Sequence, residues 1–226
     1  MMRLAVLSDV HADAHALRDA LAQIDRLGCY PIVCAGDLID WGLFPEETIS
    51  IMRERKIPCV RGNHDAWAVH EGHDMSGWDL TDRSIAFLES LPPSWSKIID
   101  GVRVVVWHAR PGSDMDGILP DIPPADLRRI MKKAGADVLI VGHTHLRFRL
   151  EVPGGGIVVN PGALLRAPAH PMDDAMLYDP VAGKFVQAPA PGGGTFGVLE
   201  LPSRTFTVHR ASDGEELPLD DRGPAR

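Results

Sequence analysis

Five short polar clusters carry side chains that could do chemistry. They are Asp9-Val10-His11, Gly36-Asp37-Leu38-Ile39-Asp40, Gly62-Asn63-His64-Asp65, His108 at the end of Val104-Val105-Val106-Trp107, and Gly142-His143-Thr144-His145. Asp9 and Asp37 offer hard carboxylate oxygens. His11, His108, His143 and His145 offer imidazole nitrogens, and Asn63 offers an amide carbonyl. A mixed nitrogen and oxygen set without thiolate suits manganese, iron, zinc, nickel or cobalt, and not a structural zinc–thiolate site. These donors outnumber what one ion takes from a protein, so the set points to two divalent ions. A carboxylate bridges two ions readily and an imidazole does not. A pair of ions ~3.5–4 Å apart can hold a bridging hydroxide and clamp a phosphoryl group for in-line attack. Taken singly, each residue is most simply a capping Asp or a hydrogen-bonded His at a strand end. Taken jointly, their spacing favours the metal reading.

Each cluster follows an apolar run that reads as a strand. The runs are residues 3–8, 31–35, 57–60, 102–107 and 138–141. Reactive groups gather at the carboxyl ends of parallel strands, where the loops converge on one crevice. Between the first two strands, Asp13 can cap a helix in which Leu17, Leu21, Ile24 and Leu27 recur at helical spacing, and Gly28 ends it. Pro45 opens a second helix with Glu46 and Glu47 in its first turn, running to about Arg55. This β-α-β-α-β order predicts a parallel sheet covered by helices. Residues 66–82 lack a period and read as a long loop, followed by a helix over 82–90. Residues 96–99 and 102–107 flank Asp100-Gly101 as a hairpin. A loop spans 109–124 and a short helix 125–133. Later strands are expected at 148–152, 157–160, 175–178, 195–201 and 205–209, making the second half mostly antiparallel. One domain is expected over 1–210, with 211–226 as a flexible polar tail.

The length of 226 residues allows a core without covalent staples, and 45% apolar with 24% charged residues excludes a disordered or fibrous chain. Lys plus Arg total 23 against 31 Asp plus Glu, a net charge of −8. That argues against a nucleic-acid duplex or an anionic membrane as partner. No apolar run reaches the ~18 residues of a membrane span. The first nine residues read as a strand and not as a signal peptide, and Cys29, Cys34 and Cys59 read as reduced, buried thiols. A cytoplasmic protein is therefore expected.

Asp-x-His, Gly-Asp-x-x-Asp, Gly-Asn-His-Asp, a lone His after an apolar strand, and Gly-His-Thr-His, in this order, resemble the calcineurin-like metallophosphoesterases over roughly residues 1–165. The size, and Gly36-Asp37-Leu38-Ile39-Asp40-Trp41-Gly42 with Phe44-Pro45-Glu46-Glu47 close behind, look most like the compact bacterial phosphodiesterase branch. The resemblance implies an α/β (α+β) fold, a four-layer α/β/β/α sandwich with mixed parallel and antiparallel sheets. It also implies two divalent ions, Mn, Fe, Zn or Ni. Asp9, His11 and His145 would hold one, Asn63, His108 and His143 the other, and Asp37 would bridge them. His64 would serve the leaving-group oxygen as general acid or charge stabiliser, oriented by Asp40.

One departure narrows the class. The Ser/Thr protein phosphatases of this superfamily carry Arg directly after the second Asp of Gly-Asp-x-x-Asp, where it grips phosphate; here Trp41 stands in that place. A phosphodiester of a small molecule is therefore favoured as substrate over a monoester, by attack of a metal-bridging hydroxide. The alternatives are a phosphomonoesterase of the same fold and a non-catalytic scaffold. Arg110 and Arg166, in loops near the crevice, and Trp41 are candidate substrate contacts. Trp41 and Trp67 directly follow site motifs and could stack on a base or aryl group. Asp65 reads as a loop-stabilising acceptor, Asn160-Pro161-Gly162 as a supporting turn, and His15, His70, His73 and His209 as solvated residues.

Overall fold

The computed structural model describes residues 1–72, 77, 79–165 and 194–219, together with the backbone of 176–179 and 184–187. Two five-stranded sheets stack face to face. The first has the order β12-β11-β10-β1-β2 and the second β3-β4-β5-β7-β6, with β1 at Met2–Leu7, β2 at Ile32–Cys34, β3 at Ser94–Ile99, β4 at Val102–Trp107, β5 at Val138–Ile140, β6 at Arg147–Glu151, β7 at Ile157–Pro161, β10 at Thr195–Leu201, β11 at Thr205–Arg210 and β12 at Glu216–Leu217. A separate two-stranded pair joins β8 (Met176–Asp179) to β9 (Lys184–Gln187).

The alternation of side chains along each strand sorts the core into layers. Leu4 and Val6 of β1 face Val104 and Val106 of β4 and Val138 and Ile140 of β5, forming the core between the sheets. Their neighbours Ala5 and Leu7 point the other way, onto α1 (Ala14–Leu27), α2 (Pro45–Glu54), α3 (Asn63–Glu71) and α4 (Asp82–Ser90). Val105, Leu139 and Val158 pack on Leu127 and Met131 of α5 (Pro124–Ala134). Both faces of each sheet are thus buried, which is why the inner strands read as unbroken apolar runs. The architecture is the expected α/β/β/α sandwich with mixed sheets.

The first helix follows its signals: Asp13 accepts from the Ala16 amide at 2.8 Å, and Gly28 takes the left-handed conformation at the C-cap. Several expectations need correction. Residues 66–71, expected as the start of a long loop, belong to α3, which begins at Asn63. Residues 57–60 form no strand; Cys59 makes one isolated parallel bridge to Cys34. The second half is mostly antiparallel, as expected, through β6–β7, β8–β9, β10–β11 and β11–β12, although β4, β5 and β7 pair in parallel. The expected tail folds back over its first part, since β12 pairs with β11 and the Arg210 amide donates to Glu215. His209 is buried between the Thr207 hydroxyl and the Gly214 carbonyl, not solvated. Among the described residues no helix is long and apolar enough to cross a membrane.

Candidate metal centre

The loops leaving β1 and β2 are zipped by main-chain bonds from Asp9 to Gly36, His11 to Asp37 and Ala12 to Leu38, at 2.8 to 3.0 Å. The loops leaving β4 and β5 are joined by Gly142 donating to His108 at 2.7 Å. Two further bonds tie the sheets at this end. The His143 amide donates to the Asp9 carboxylate at 3.1 Å, and His108 Nδ1 donates to the Ala35 carbonyl at 2.8 Å. Glycine is needed where these loops touch: a Cβ on Gly142 would overlap Ser8 Oγ and the Asp9 carboxylate, and one on Gly62 would overlap Asp37.

Two groups of donors converge there. Asp9, His11 and His145 have ligand atoms within 4.8 Å of one another, and so do Asp37, His108 and His143. Asn63 Oδ1 lies 2.9 Å from His108 Nε2 and 3.0 Å from His143 Nδ1. Asp37 Oδ2 stands between the groups, 3.2 Å from His108 Nε2 and 3.9 Å from His11 Nε2. His11, Asp37 and His64 also fall within 4.8 Å of one another. Asp9, His11, Asp37 and His108 are buried.

The donor chemistry fits divalent cations. His11 Nδ1 faces the Ile39 carbonyl at 3.1 Å and His108 Nδ1 the Ala35 carbonyl. A carbonyl can only accept, so each Nδ1 carries its proton, and each Nε2 is left facing the centre to take a cation or a proton. His11 Nε2 meets His145 Nε2 at 3.2 Å, an approach of two nitrogens that calls for a cation or a proton. Burial pulls His11 down to about 3, against the pull of Asp37. Burial would also lower His108, but the adjacent Asp37 carboxylate overrides it and pushes His108 up to about 10. Burial would raise Asp37; the imidazole of His108 holds it far below the usual carboxylate range instead. A metal bound at such a site takes the place of a proton.

A family model described as a calcineurin-like phosphoesterase superfamily domain matches residues 2–180. The chain belongs to that superfamily. An uncharacterised protein of Methanocaldococcus jannaschii is similar, 27% identical over 175 residues, covering 71% of this chain and 69% of its own. The solved metallophosphoesterase of Sphaerobacter thermophilus is similar at a TM-score of 0.65 and 23% identity, over 96% of this chain and 89% of that one. A hypothetical protein of Pyrococcus horikoshii is similar at a TM-score of 0.71 and 17% identity, over 98% and 90%.

Within this superfamily domain, His64 sits on the first turn of α3 with Nδ1 2.6 Å from Asp40 Oδ2. Burial would lower the His64 imidazole, but the bond to Asp40 and the charges of Asp37 and Asp65 raise it overall. Asp65, fully buried, accepts from the amides of Leu38, Gly62 and Asp37 at 2.8, 2.9 and 3.0 Å, fastening the Asp37 loop to the start of α3. Asn160 donates to the Gly142 carbonyl and to Thr144 Oγ1, bracing the loop of His143 and His145. Trp41 lies flat on His11, centroids 4.1 Å apart at 20°. Arg110 is paired with Asp116 at 2.6 Å in the loop whose Gly117 packs beside His143 and Thr144. Arg166, His73 and Trp78 lie outside the described residues, and His70 and His15 are exposed. Sequence reasoning missed Ser8, whose hydroxyl donates to Asp9 Oδ2 at 2.5 Å. Its signal was its place directly before Asp9, at the strand end.

The backbone here is unusual. Of eleven non-glycine residues with positive φ among the described residues, eight lie in these loops: Asp9, His11, Ala12, Asp37, Asp40, Trp41, His143 and His145. Left-handed turns let the side chains of tightly connected loops point into one space.

Proposed function

We propose that this superfamily member is a two-metal phosphodiesterase acting on a small diester. Asp9, His11 and His145 would hold one divalent ion, Asn63, His108 and His143 the other, and Asp37 would contact both. Ions held there supply Lewis acidity to the phosphoryl oxygens and acidify the attacking water. The protein's own residues do the rest. Asp40 fixes His64 Nδ1, so that Nε2 remains for substrate, and the raised affinity of His64 for a proton keeps it charged toward neutral pH. Water forms the new bond to phosphorus, the old ester bond breaks, and His64 Nε2 hands its proton to the departing oxygen.

The observation that carries this reading is the meeting of the two donor groups at Asp37, whose second oxygen accepts from the His64 amide at 3.0 Å. One carboxylate thus ties the cation groups to the acid. Diesters are favoured over monoesters because Trp41, stacked on His11, occupies the place of a phosphate-gripping Arg.

The test is made on protein loaded with Mn²⁺ after chelation. Elemental analysis should find two ions per chain, lost more readily from Asp37→Asn than from His11→Ala; saturation at one ion overturns the two-metal arrangement. His64→Ala should lose about 10²–10⁴ in kcat with an alkoxide leaving group and far less with nitrophenol, metals retained. Equal losses on both leaving groups overturn the acid role. A matched monoester preferred tenfold or more in kcat/KM overturns the diester preference.

A further inference from the structure

The His64 imidazole is flanked by two indoles. Trp41 meets it at 4.9 Å between centroids and 72°, and Trp67 at 4.7 Å and 63°. Both tryptophans are half-buried, while the metal-type ligands Asp9, His11, Asp37 and His108 beneath them are buried. Trp67 lies three residues after His64 on α3, so both project from one side of the helix.

The position of Trp41 is built into the backbone. Asp40 and Trp41 both have positive φ, 69° and 67°, a conformation that a bulky side chain adopts only when its surroundings impose it. The loop is clamped there. Gly42 donates to the Asp40 carbonyl at 2.8 Å, Phe44 donates to the Ala12 carbonyl at 3.0 Å, and a Cβ on Gly42 would overlap the backbone of His11 and Ala12. The apolar rim continues outward through the exposed side chains of Leu43 and Phe44. The clamped loop holds Trp41 over the centre, with one face stacked on His11 and an edge toward His64.

We propose that Trp41 and Trp67 form an aromatic seat beside His64, so that the substrate is a phosphodiester whose leaving alcohol carries a flat aromatic ring. The inference rests on the phosphodiesterase reading, because His64 marks the leaving-group side. One face of Trp41 is taken by His11, so a substrate ring would meet the indole of Trp67 and the side of Trp41 away from His11. The leaving ring would be an aryl group or a nucleobase, two sources of the same chemistry.

The first measurement is binding to the Mn²⁺-loaded protein, which needs no turnover. Benzylphosphonate is compared by calorimetry with cyclohexylmethylphosphonate, its saturated counterpart, whose carbon–phosphorus bond likewise resists hydrolysis. Benzylphosphonate should bind about fivefold tighter or more, as one stacked ring is worth. Trp67→Leu should abolish that difference and Trp67→Phe restore much of it, with two metals retained. Trp41→Leu serves as a second variant, its metal content measured alongside. Equal binding of the two phosphonates, or a preference that survives both leucine variants, overturns the seat.

The second measurement is kcat/KM for three methyl phosphodiesters whose leaving alcohols are phenol, uridine through its 5′ oxygen, and ribose through the same oxygen. Uridine favoured over ribose about fivefold or more, and lost in Trp67→Leu, identifies a nucleobase as the ring. An aromatic preference confined to the phosphonates and phenol identifies a small aryl group. Turnover of all three without any effect of Trp67→Leu leaves the phosphodiesterase reading standing and sinks the seat. Retained benzylphosphonate preference with no diester cleaved does the reverse.

Discussion

Removing the Asp65 carboxylate should loosen the whole centre although that residue holds no ion in the arrangement proposed above. Its two oxygens accept three amide protons, from Leu38, Gly62 and Asp37, inside a fully buried pocket. Asp65→Ala leaves all three donors without that partner. A buried donor left unsatisfied costs about 1–3 kcal/mol. Water admitted to the hole satisfies part of the loss, so the low end applies, about 3 kcal/mol in total. For a chain of this size each kcal/mol shifts the melting temperature by about 2–4 °C, so a fall of about 6–12 °C is expected. Asp65→Asn keeps one acceptor oxygen and should fall less. Because the three amides belong to the segments bearing Asp37 and Asn63, Asp65→Ala should also weaken metal binding. Differential scanning calorimetry and a Mn²⁺ titration of the same preparation check both effects. A melting point within about 2 °C of the parent, together with unchanged metal affinity, would refute the claim that this carboxylate fastens the two loops.

Two further outcomes follow from packing. Gly142→Ala places a methyl group against Ser8 Oγ and the Asp9 carboxylate, so overpacking of about 1–3 kcal/mol should appear in the melt and in a weaker metal titration; an unchanged titration contradicts the close approach. Cys29, Cys34 and Cys59 are all buried, and burial pushes the thiols of Cys29 and Cys59 up, so a thiol reagent should react with none of them in the folded protein and with all three in guanidinium; rapid labelling of the native chain contradicts this.

Much of this architecture was legible because its signals are local. Asp13 and Gly28 bracket α1 with side-chain and backbone chemistry that needs no tertiary partner. The polar clusters stood out because each directly follows an apolar run. What escaped is set by distant partners. The helix α3 has Gly62 at its N-cap, with no side chain to announce a start, and its capping acceptor Asp65 also serves the distant loop of Asp37 and Leu38. Residues 57–60 look like a strand by composition, yet only Cys59 finds a bridge. The parallel pairing of β5 with β7 skips over β6, a choice that periodicity does not encode. His209 reads as a surface residue because one of its partners, Gly214, belongs to a turn that exists only once β12 docks on β11; the other, Thr207, is its neighbour two residues back on β11.

The left-handed residues around the centre have an evolutionary consequence. A non-glycine residue in that conformation forgoes about 1 kcal/mol relative to glycine. His143 and His145 both do so in the same loop, with φ of 66° and 57°. Selection for activity must therefore hold these positions against a standing backbone cost. In a duplicated copy released from that selection, drift to glycine there would relieve that backbone cost. The sandwich beneath, whose cores are built mainly from strands and helices and not from these loops, would persist as its chemistry disappeared, leaving a scaffold open to other uses.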